Sequence, residues 1–372
     1  MKLYWNRGDY DWQPERYKYS VEQMMLTLFP GERPEYPEEP AGAGEDWARF
    51  AVTPGEKWVT VTAQVAREGR QAQGRARFPR EKLDEPAEKV YHTVQHGLKM
   101  AFYRAGVTLL GQEPPWGALT GVRPVKLPTR AMLAGATPRQ AQLELERDFR
   151  VSPVRASLAV GCAKASLAVD RDLRDDQVSV YIGVPFCPTR CAYCSFVSAD
   201  VGRTLKLVEP YLEGVLREIA VTGESLRRAG KTVHSLYVGG GTPTTLSASQ
   251  LSQLLEAVHR ELPVEHCVEY TVEAGRPDTI DREKLLALRE AGIGRISINP
   301  QTLEDPVLQA IGRRHSAKDI LDAYALAREV GFDSINMDLI AGLPRDSFEG
   351  FCRSLNGVLA LEPENILSLI HI

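Results

Sequence analysis

Val178-Ser179-Val180-Tyr181-Ile182-Gly183-Val184-Pro185-Phe186-Cys187-Pro188-Thr189-Arg190-Cys191-Ala192-Tyr193-Cys194 is an apolar, β-branched run that opens into a loop bearing three thiols. Residues 178–183 have the length and composition of a strand. Four more strands are expected downstream, at 235–238, 268–273, 295–299 and 334–340. Helical periodicity fills the intervals, near 207–228, 247–262, 282–291 and 317–330. This alternation builds βαβ units and a parallel sheet, either an open doubly wound sheet or a whole or partial barrel. In both architectures chemistry sits at the carboxyl ends of the strands.

Upstream of this half the texture changes. All five tryptophans (Trp5, Trp12, Trp47, Trp58, Trp116) precede residue 175. Residues 30–44 are rich in Pro, Gly and Glu and read as a loop. Residues 58–65 alternate apolar and polar, as a half-buried strand does, and Gly69 falls in the expected hairpin turn. Helices are expected at 86–107, 138–149 and 154–169, followed by a charged linker at 170–176. His92 and His96 share one helical face, but without an acidic or cysteine neighbour in sequence they are not expected to hold a metal. The resulting division is an α+β domain with its linker at 1–175, an α/β core at 176–366, and a tail at 367–372.

With 372 residues, 43% hydrophobic and 25% charged, the protein is an ordinary globular one. A formal charge of -4 argues against a nucleic-acid partner, which would need a basic excess. Apolar runs are strand-sized and the N-terminus is charged and aromatic, so neither a membrane span nor a secretion signal is visible; the cytoplasm is the expected compartment. Cys162, Cys267 and Cys352 stand alone and read as core residues.

Cys187, Cys191 and Cys194, spaced C-x3-C-x2-C, suit a four-iron cluster whose fourth iron stays open; a structural zinc site and a redox pair are the alternatives. Gly239-Gly240-Gly241-Thr242 ends the second strand, where the missing Cβ atoms would admit a ligand to backbone amides and carbonyls. Glu273 closes the third strand, Gln301 follows the fourth, Arg313 lies downstream and Asp338 is on the fifth. Glu273 suits hydrogen bonding to ribose hydroxyls or an ammonium.

Together these motifs resemble the radical S-adenosylmethionine enzymes, in the branch of oxygen-independent coproporphyrinogen III oxidases and their relatives. The resemblance implies a partial (β/α) barrel of radical S-adenosylmethionine type, preceded here by a small α+β domain. It implies that Cys187, Cys191 and Cys194 hold a [4Fe-4S] cluster and that S-adenosyl-L-methionine chelates the open iron. Tyr181, Tyr193, Gly240, Gly241, Thr242, Glu273, Gln301, Arg313 and Asp338 fall at positions for cofactor contacts. Thr120-Gly121-Val122-Arg123-Pro124-Val125-Lys126-Leu127 resembles the signature of the HemZ-type branch, whose members carry an extra N-terminal domain. Ser195-Phe196 stands where the established oxidases carry a further cysteine, a departure shared with the HemZ-type and haem-chaperone branches.

The implied reaction uses an external one-electron donor to generate a 5'-deoxyadenosyl radical, which takes hydrogen from a propionate of a small-molecule tetrapyrrole, coproporphyrinogen III. Loss of carbon dioxide and an electron leaves a vinyl group, and two rounds give protoporphyrinogen IX. A haem chaperone, or radical chemistry on another substrate, is the competing expectation. At the other end, a sixth strand is expected after Pro363-Glu364-Asn365. Leu367-Ser368-Leu369-Ile370-His371-Ile372 is what the codons CTG TCT CTT ATA CAC ATC of a transposase-based sequencing adaptor encode, so the tail is expected to be adaptor-derived and the sequence to be incomplete at its C-terminus; a real apolar strand is the alternative. Anaerobic reconstitution should load about four irons per protein molecule. Full iron occupancy after Cys187, Cys191 and Cys194 are all changed to Ala would exclude the triplet as the ligand set.

Overall fold

The computed structural model describes residues 1–6, 12–39, 41–42, 44–121, 123–196 and 198–370, the last without its side chain. Val122 of the 120–127 segment and His371 and Ile372 of the tail lie outside the described residues. The protein forms two compact units, Met1–Leu173 and Arg174–Ile372.

In the first unit, strands β1 (Lys2–Asn6), β2 (Trp47–Pro54), β3 (Trp58–Arg67) and β4 (Arg70–Pro79) pair in sequence order, the first pair parallel and the rest antiparallel. The alternation in β3 is realised: Val59, Val61, Ala63 and Val65 are fully buried, while Trp58 is exposed. Glu68 and Gly69 both have positive φ, the backbone twist that a tight hairpin between right-twisted strands requires. The buried face of the sheet shares a core with the helices Lys18–Leu28 and Ala87–Leu110.

Two expectations are corrected here. The helix Pro153–Asp172 absorbs the first half of the expected 170–176 linker, because nothing before Leu173 interrupts it. Cys162 is exposed: that helix buries Ala156, Ala159, Val160, Ala163 and Leu167, and residue 162 faces away from them. Cys267 and Cys352 are only partly buried, and the Cys267 thiol donates to the Glu269 carbonyl at 3.2 Å.

The second unit contains β5 (Gln177–Val184), the short parallel pair β6 (Phe186–Cys187) and β7 (Ala199–Asp200), β8 (Thr232–Gly240), β9 (Glu269–Glu273), β10 (Arg295–Ser297), β11 (Ser334–Ala341) and β12 (Asn365–Ile370). Its main sheet has the order β12-β11-β10-β9-β8-β5, parallel throughout. The order never reverses. Right-handed crossovers in an unreversed series put every helix on one face, which makes a partial barrel and excludes a doubly wound sheet. β12 pairs with β11 from Asn365↔Asn336 to Ile370↔Ala341, so residues 367–370 lie in this edge strand.

The pleat sorts side chains between the two faces. Ile182, Val184, Val233, Leu236, Val238, Val272, Ile296, Ile335, Met337 and Leu339 are buried in the core of this unit. The opposite, concave face is polar. There Ser179 and Ser235 hydrogen-bond at 2.8 Å, Tyr181 stacks on Tyr237, Arg295 pairs with Glu269 at 3.0 Å, and Asn336 donates to Asp338 at 2.7 Å. Among the described residues no helix is long and apolar enough to cross a membrane.

One glycine in the first unit is fixed by close approach of strand to helix. A Cβ on Gly74 would lie 1.9 Å from the Ala101 carbonyl oxygen and 2.7 Å from the Ala105 nitrogen. Neither backbone can yield without moving β4 off the helix. Gly74→Ala should therefore destabilise the first unit by about 3 kcal/mol, the upper end for overpacking. Because every tryptophan lies in this unit, tryptophan fluorescence during urea unfolding reads its transition directly. An unchanged midpoint would show that strand and helix are not in contact there.

Candidate functional site

β5 ends at Val184, and Pro185 turns the backbone into the cysteine loop. The end of β8 is tied to the start of this loop by two backbone hydrogen bonds, Gly241 N to Val184 O and Thr242 N to Phe186 O, each 2.7 Å. A Cβ on Gly241 would lie 2.5 Å from Phe186 O, and Gly240 has φ +105° with its Cβ position 3.0 Å from Val184 O. The glycines are thus required by the protein's own backbone even before any ligand approaches them.

The loop is held from several sides. Cys187 Sγ lies 3.5 Å from Thr242 Oγ1, and burial pushes its thiol up from the ordinary value. Ala192 N donates to Ile311 O at 3.0 Å, and Thr189 Oγ1 donates to Gly312 O at 2.8 Å. Arg276, only 3% exposed, donates from Nη1 to Thr189 O at 3.3 Å and Thr189 Oγ1 at 3.1 Å, with Cys191 Sγ 3.9 Å away. Its other donors, Nε and Nη2, grip both oxygens of Asp278 at 3.0 and 2.9 Å. His315 Nδ1 stands 3.3 Å from the same carboxylate. Burial alone would raise the Asp278 carboxyl, but His315 and Arg276 outweigh it and hold it well below the usual carboxylate range.

Arg313 makes a second tie. Buried, it donates from Nη1 to Asn299 O at 2.6 Å and from Nη2 to the Tyr193 hydroxyl at 3.1 Å, so it joins the cysteine loop to the end of β10. Burial pushes Tyr193 up to about 12, which leaves it a neutral phenol. Glu273 accepts from Tyr237 at 2.7 Å, and burial raises its carboxyl; Asp338, bonded by Asn336, is raised for the same reason. Gln301 takes a left-handed φ of 66°, which β11 stabilises through Gln301 N to Asp338 O and Ile340 N to Gln301 O.

These groups surround one cavity of about 270 Å³. Cys187, Cys191, Cys194, Tyr193, Gly240, Gly241, Thr242, Glu273, Gln301, Arg313 and Asp338 all line it. Tyr181 does not. It sits on the concave face, 57% exposed and stacked on Tyr237 at 5.9 Å, and lines an adjoining cavity with Phe196, Gly240 and Glu273, three residues that also line this one. Arg276 and Asn299, absent from the sequence expectations, also line the cavity. Both follow strand ends, so the strand-end rule carried their signal; the link from Arg276 through Asp278 to His315 did not exist until the protein folded.

The cavity fits a polar ligand. Asn299 Oδ1, Gln301 Oε1 and Arg313 Nε are buried without a hydrogen-bond partner among the described residues, and such atoms normally find one in protein, water or ligand. Among the described residues no three His, Cys, Asp or Glu side chains gather to hold a metal ion, as a tetrahedral zinc site would require. A four-iron cluster spreads its ligands wider, one iron to each thiolate, and the three cysteines do line one cavity.

Residues 181–355 match the Radical SAM superfamily. The protein has a radical SAM domain. Superfamily members use a [4Fe-4S] cluster and S-adenosylmethionine. The sequence is similar to the oxygen-independent coproporphyrinogen-III oxidase-like protein HemZ of Bacillus subtilis, 38% identical over 337 residues that cover 88% of this chain and 66% of HemZ. The heme chaperone HemW of the same organism is 38% identical over 196 residues, covering 52% of this chain and 50% of HemW. The oxygen-independent coproporphyrinogen III oxidase of Pseudomonas aeruginosa is 34% identical over 194 residues, covering 51% and 41%. The radical SAM protein thus spans 66% of HemZ and half or less of the other two.

The two arginine ties make a graded expectation. Arg276→Gln removes the charge that Asp278 and His315 are built around, and breaking such a buried pair should lower stability by about 3–5 kcal/mol. Thr189→Val deletes one hydroxyl and should lower it by about 1 kcal/mol. Far-UV circular dichroism during urea unfolding measures both. Equal, small effects would show that the guanidinium does not anchor the loop.

Proposed function

We propose that the protein to which this sequence belongs carries out the oxygen-independent oxidative decarboxylation of coproporphyrinogen III to protoporphyrinogen IX, in porphyrin and haem biosynthesis. The observation that favours it is the reach of the HemZ similarity. Its 337 aligned residues exceed the whole of the second unit and so extend far into the first, whereas the HemW and oxidase alignments are each shorter than the second unit.

In this reading Cys187, Cys191 and Cys194 hold the cluster, and three thiolates for four irons leave one iron for S-adenosylmethionine. When bound, the two cofactors supply a low-potential electron, drawn from an external donor, and an acceptor for a hydrogen atom. Glu273 and Asp338 offer half-buried oxygens, held by Tyr237 and Asn336, for ribose hydroxyls or an ammonium. Gln301 Oε1, Asn299 Oδ1 and Arg313 Nε offer the unpaired donors and acceptors that a polar cofactor completes. Tyr193, fixed by Arg313, presents a neutral ring between the cysteines and the strand ends. The propionate gives up one hydrogen atom, carbon dioxide and one electron to become a vinyl group, so an electron acceptor completes the balance.

Anaerobic incubation of the full-length gene product with iron, sulfide, S-adenosylmethionine, a reductant and coproporphyrinogen III, followed by product mass analysis, tests this. The expected result is the vinyl product together with 5'-deoxyadenosine. Cleavage of S-adenosylmethionine without decarboxylation would overturn the substrate, and stoichiometric haem retention without turnover would favour the chaperone activity named for HemW.

A further inference from the structure

Holding the cysteine loop does not by itself call for the charge on Arg276. The acceptors it serves there, Thr189 O and Thr189 Oγ1, are neutral, and a neutral amide would satisfy them without the cost of burying a cation. That charge has two other neighbours. One is Cys191 Sγ, 3.9 Å from Nη1. The other is Asp278, which takes Nε and Nη2 and is itself held by His315 Nδ1 at 3.3 Å. The Arg276 side chain is 3% exposed and that of Asp278 24%, so the cation is shielded from water more completely than its counter-ion.

The cysteines of the loop are not treated alike. Cys187 has a neutral hydroxyl, Thr242 Oγ1, at 3.5 Å, whereas Cys191 has the guanidinium groups of Arg276 and Arg313 beside it. These two arginines differ in what they leave open. Arg313 Nε is buried and unpaired among the described residues, a donor kept for a ligand. Arg276 has all of its nitrogens engaged within the protein, so it is placed to act on the thiolate and not to receive a ligand.

We propose that Arg276 sets the reduction potential of the cluster, its guanidinium beside Cys191 raising the potential and Asp278 moderating that charge. The assignment rests on Cys187, Cys191 and Cys194 being the cluster ligands, and on nothing about the substrate. Three thiolates make the oxidised cluster site anionic, and the electron delivered by the external donor adds a further negative charge. A fixed cation next to one thiolate favours the reduced form, and an N–H directed at sulfur acts in the same sense. A carboxylate paired with that cation opposes both effects.

The test is a mediated redox titration of the anaerobically reconstituted protein without S-adenosylmethionine, read from the paramagnetic resonance signal of the reduced cluster. Arg276→Gln should lower the ratio of reduced to oxidised cluster at a given potential by about tenfold, equivalent to about 59 mV for a one-electron couple. Arg276→Lys keeps the charge and should shift the potential less. Asp278→Asn should raise the ratio by about threefold, a smaller effect because solvent screens the carboxylate. Iron content and circular dichroism show which variants are folded and loaded. Opposite signs are the decisive result, since a loop merely loosened would move both variants in one direction. Unchanged potentials, or shifts of the same sign, would overturn the assignment. Where Arg276→Gln retains no iron, Asp278→Asn decides: a raised potential supports the assignment, and an unchanged or lowered one overturns it. Failure of the unsubstituted protein to take up iron would instead defeat the cluster reading on which the assignment rests.

Discussion

Two backbone hydrogen bonds, from Gly241 N to Val184 O and from Thr242 N to Phe186 O, decide where the cysteine loop sits. They are possible only because residue 241 lacks a Cβ, which would overlap the Phe186 carbonyl. With that seam closed, Thr242 lies beside Cys187, and the loop is carried over the ends of β9 and β10 instead of into solvent. Every other tie in the site assumes this placement.

The remaining ties are charged and buried. Arg276, just after β9, and Arg313, beyond the helix Asp305–Ala310 that follows β10, both reach the loop, one through Thr189 and the other through Tyr193. Guanidinium groups suit this task, because several fixed donors can serve carbonyls, hydroxyls and a carboxylate at once. Asp278 and His315 complete the first of these, while the second is left with Nε unpaired and facing the cavity. The unsatisfied atoms concentrate where a ligand would meet them, and the satisfied ones hold the loop. Such a division is what a preorganised polar site requires, since groups that move on binding dilute affinity.

The first unit obeys a different logic. Its sheet and helices make contact closely enough to forbid a side chain at Gly74, and its aromatic core is continuous from Trp5 to Phe102.

Local sequence was enough to determine the repeating strands and helices of the second half, the alternation in β3, and the residues whose placement at strand ends puts them around one cavity. These are short-range properties, set by side-chain periodicity and by glycine and cysteine spacing. Strand ends differ from the expected ones in both directions: β8 runs from Thr232 to Gly240 because ladder pairing extends a strand past its apolar run, whereas β10, expected to reach residue 299, ends at Ser297. Only the tertiary structure decided that the sheet order never reverses, that Tyr181 stacks on Tyr237 outside the cavity, that Gly241 is demanded by Phe186, and that Arg276, Asp278 and His315 form one linked series. Each of these is a contact between residues far apart in sequence, and such contacts are fixed by crossover handedness and packing, which no local pattern encodes.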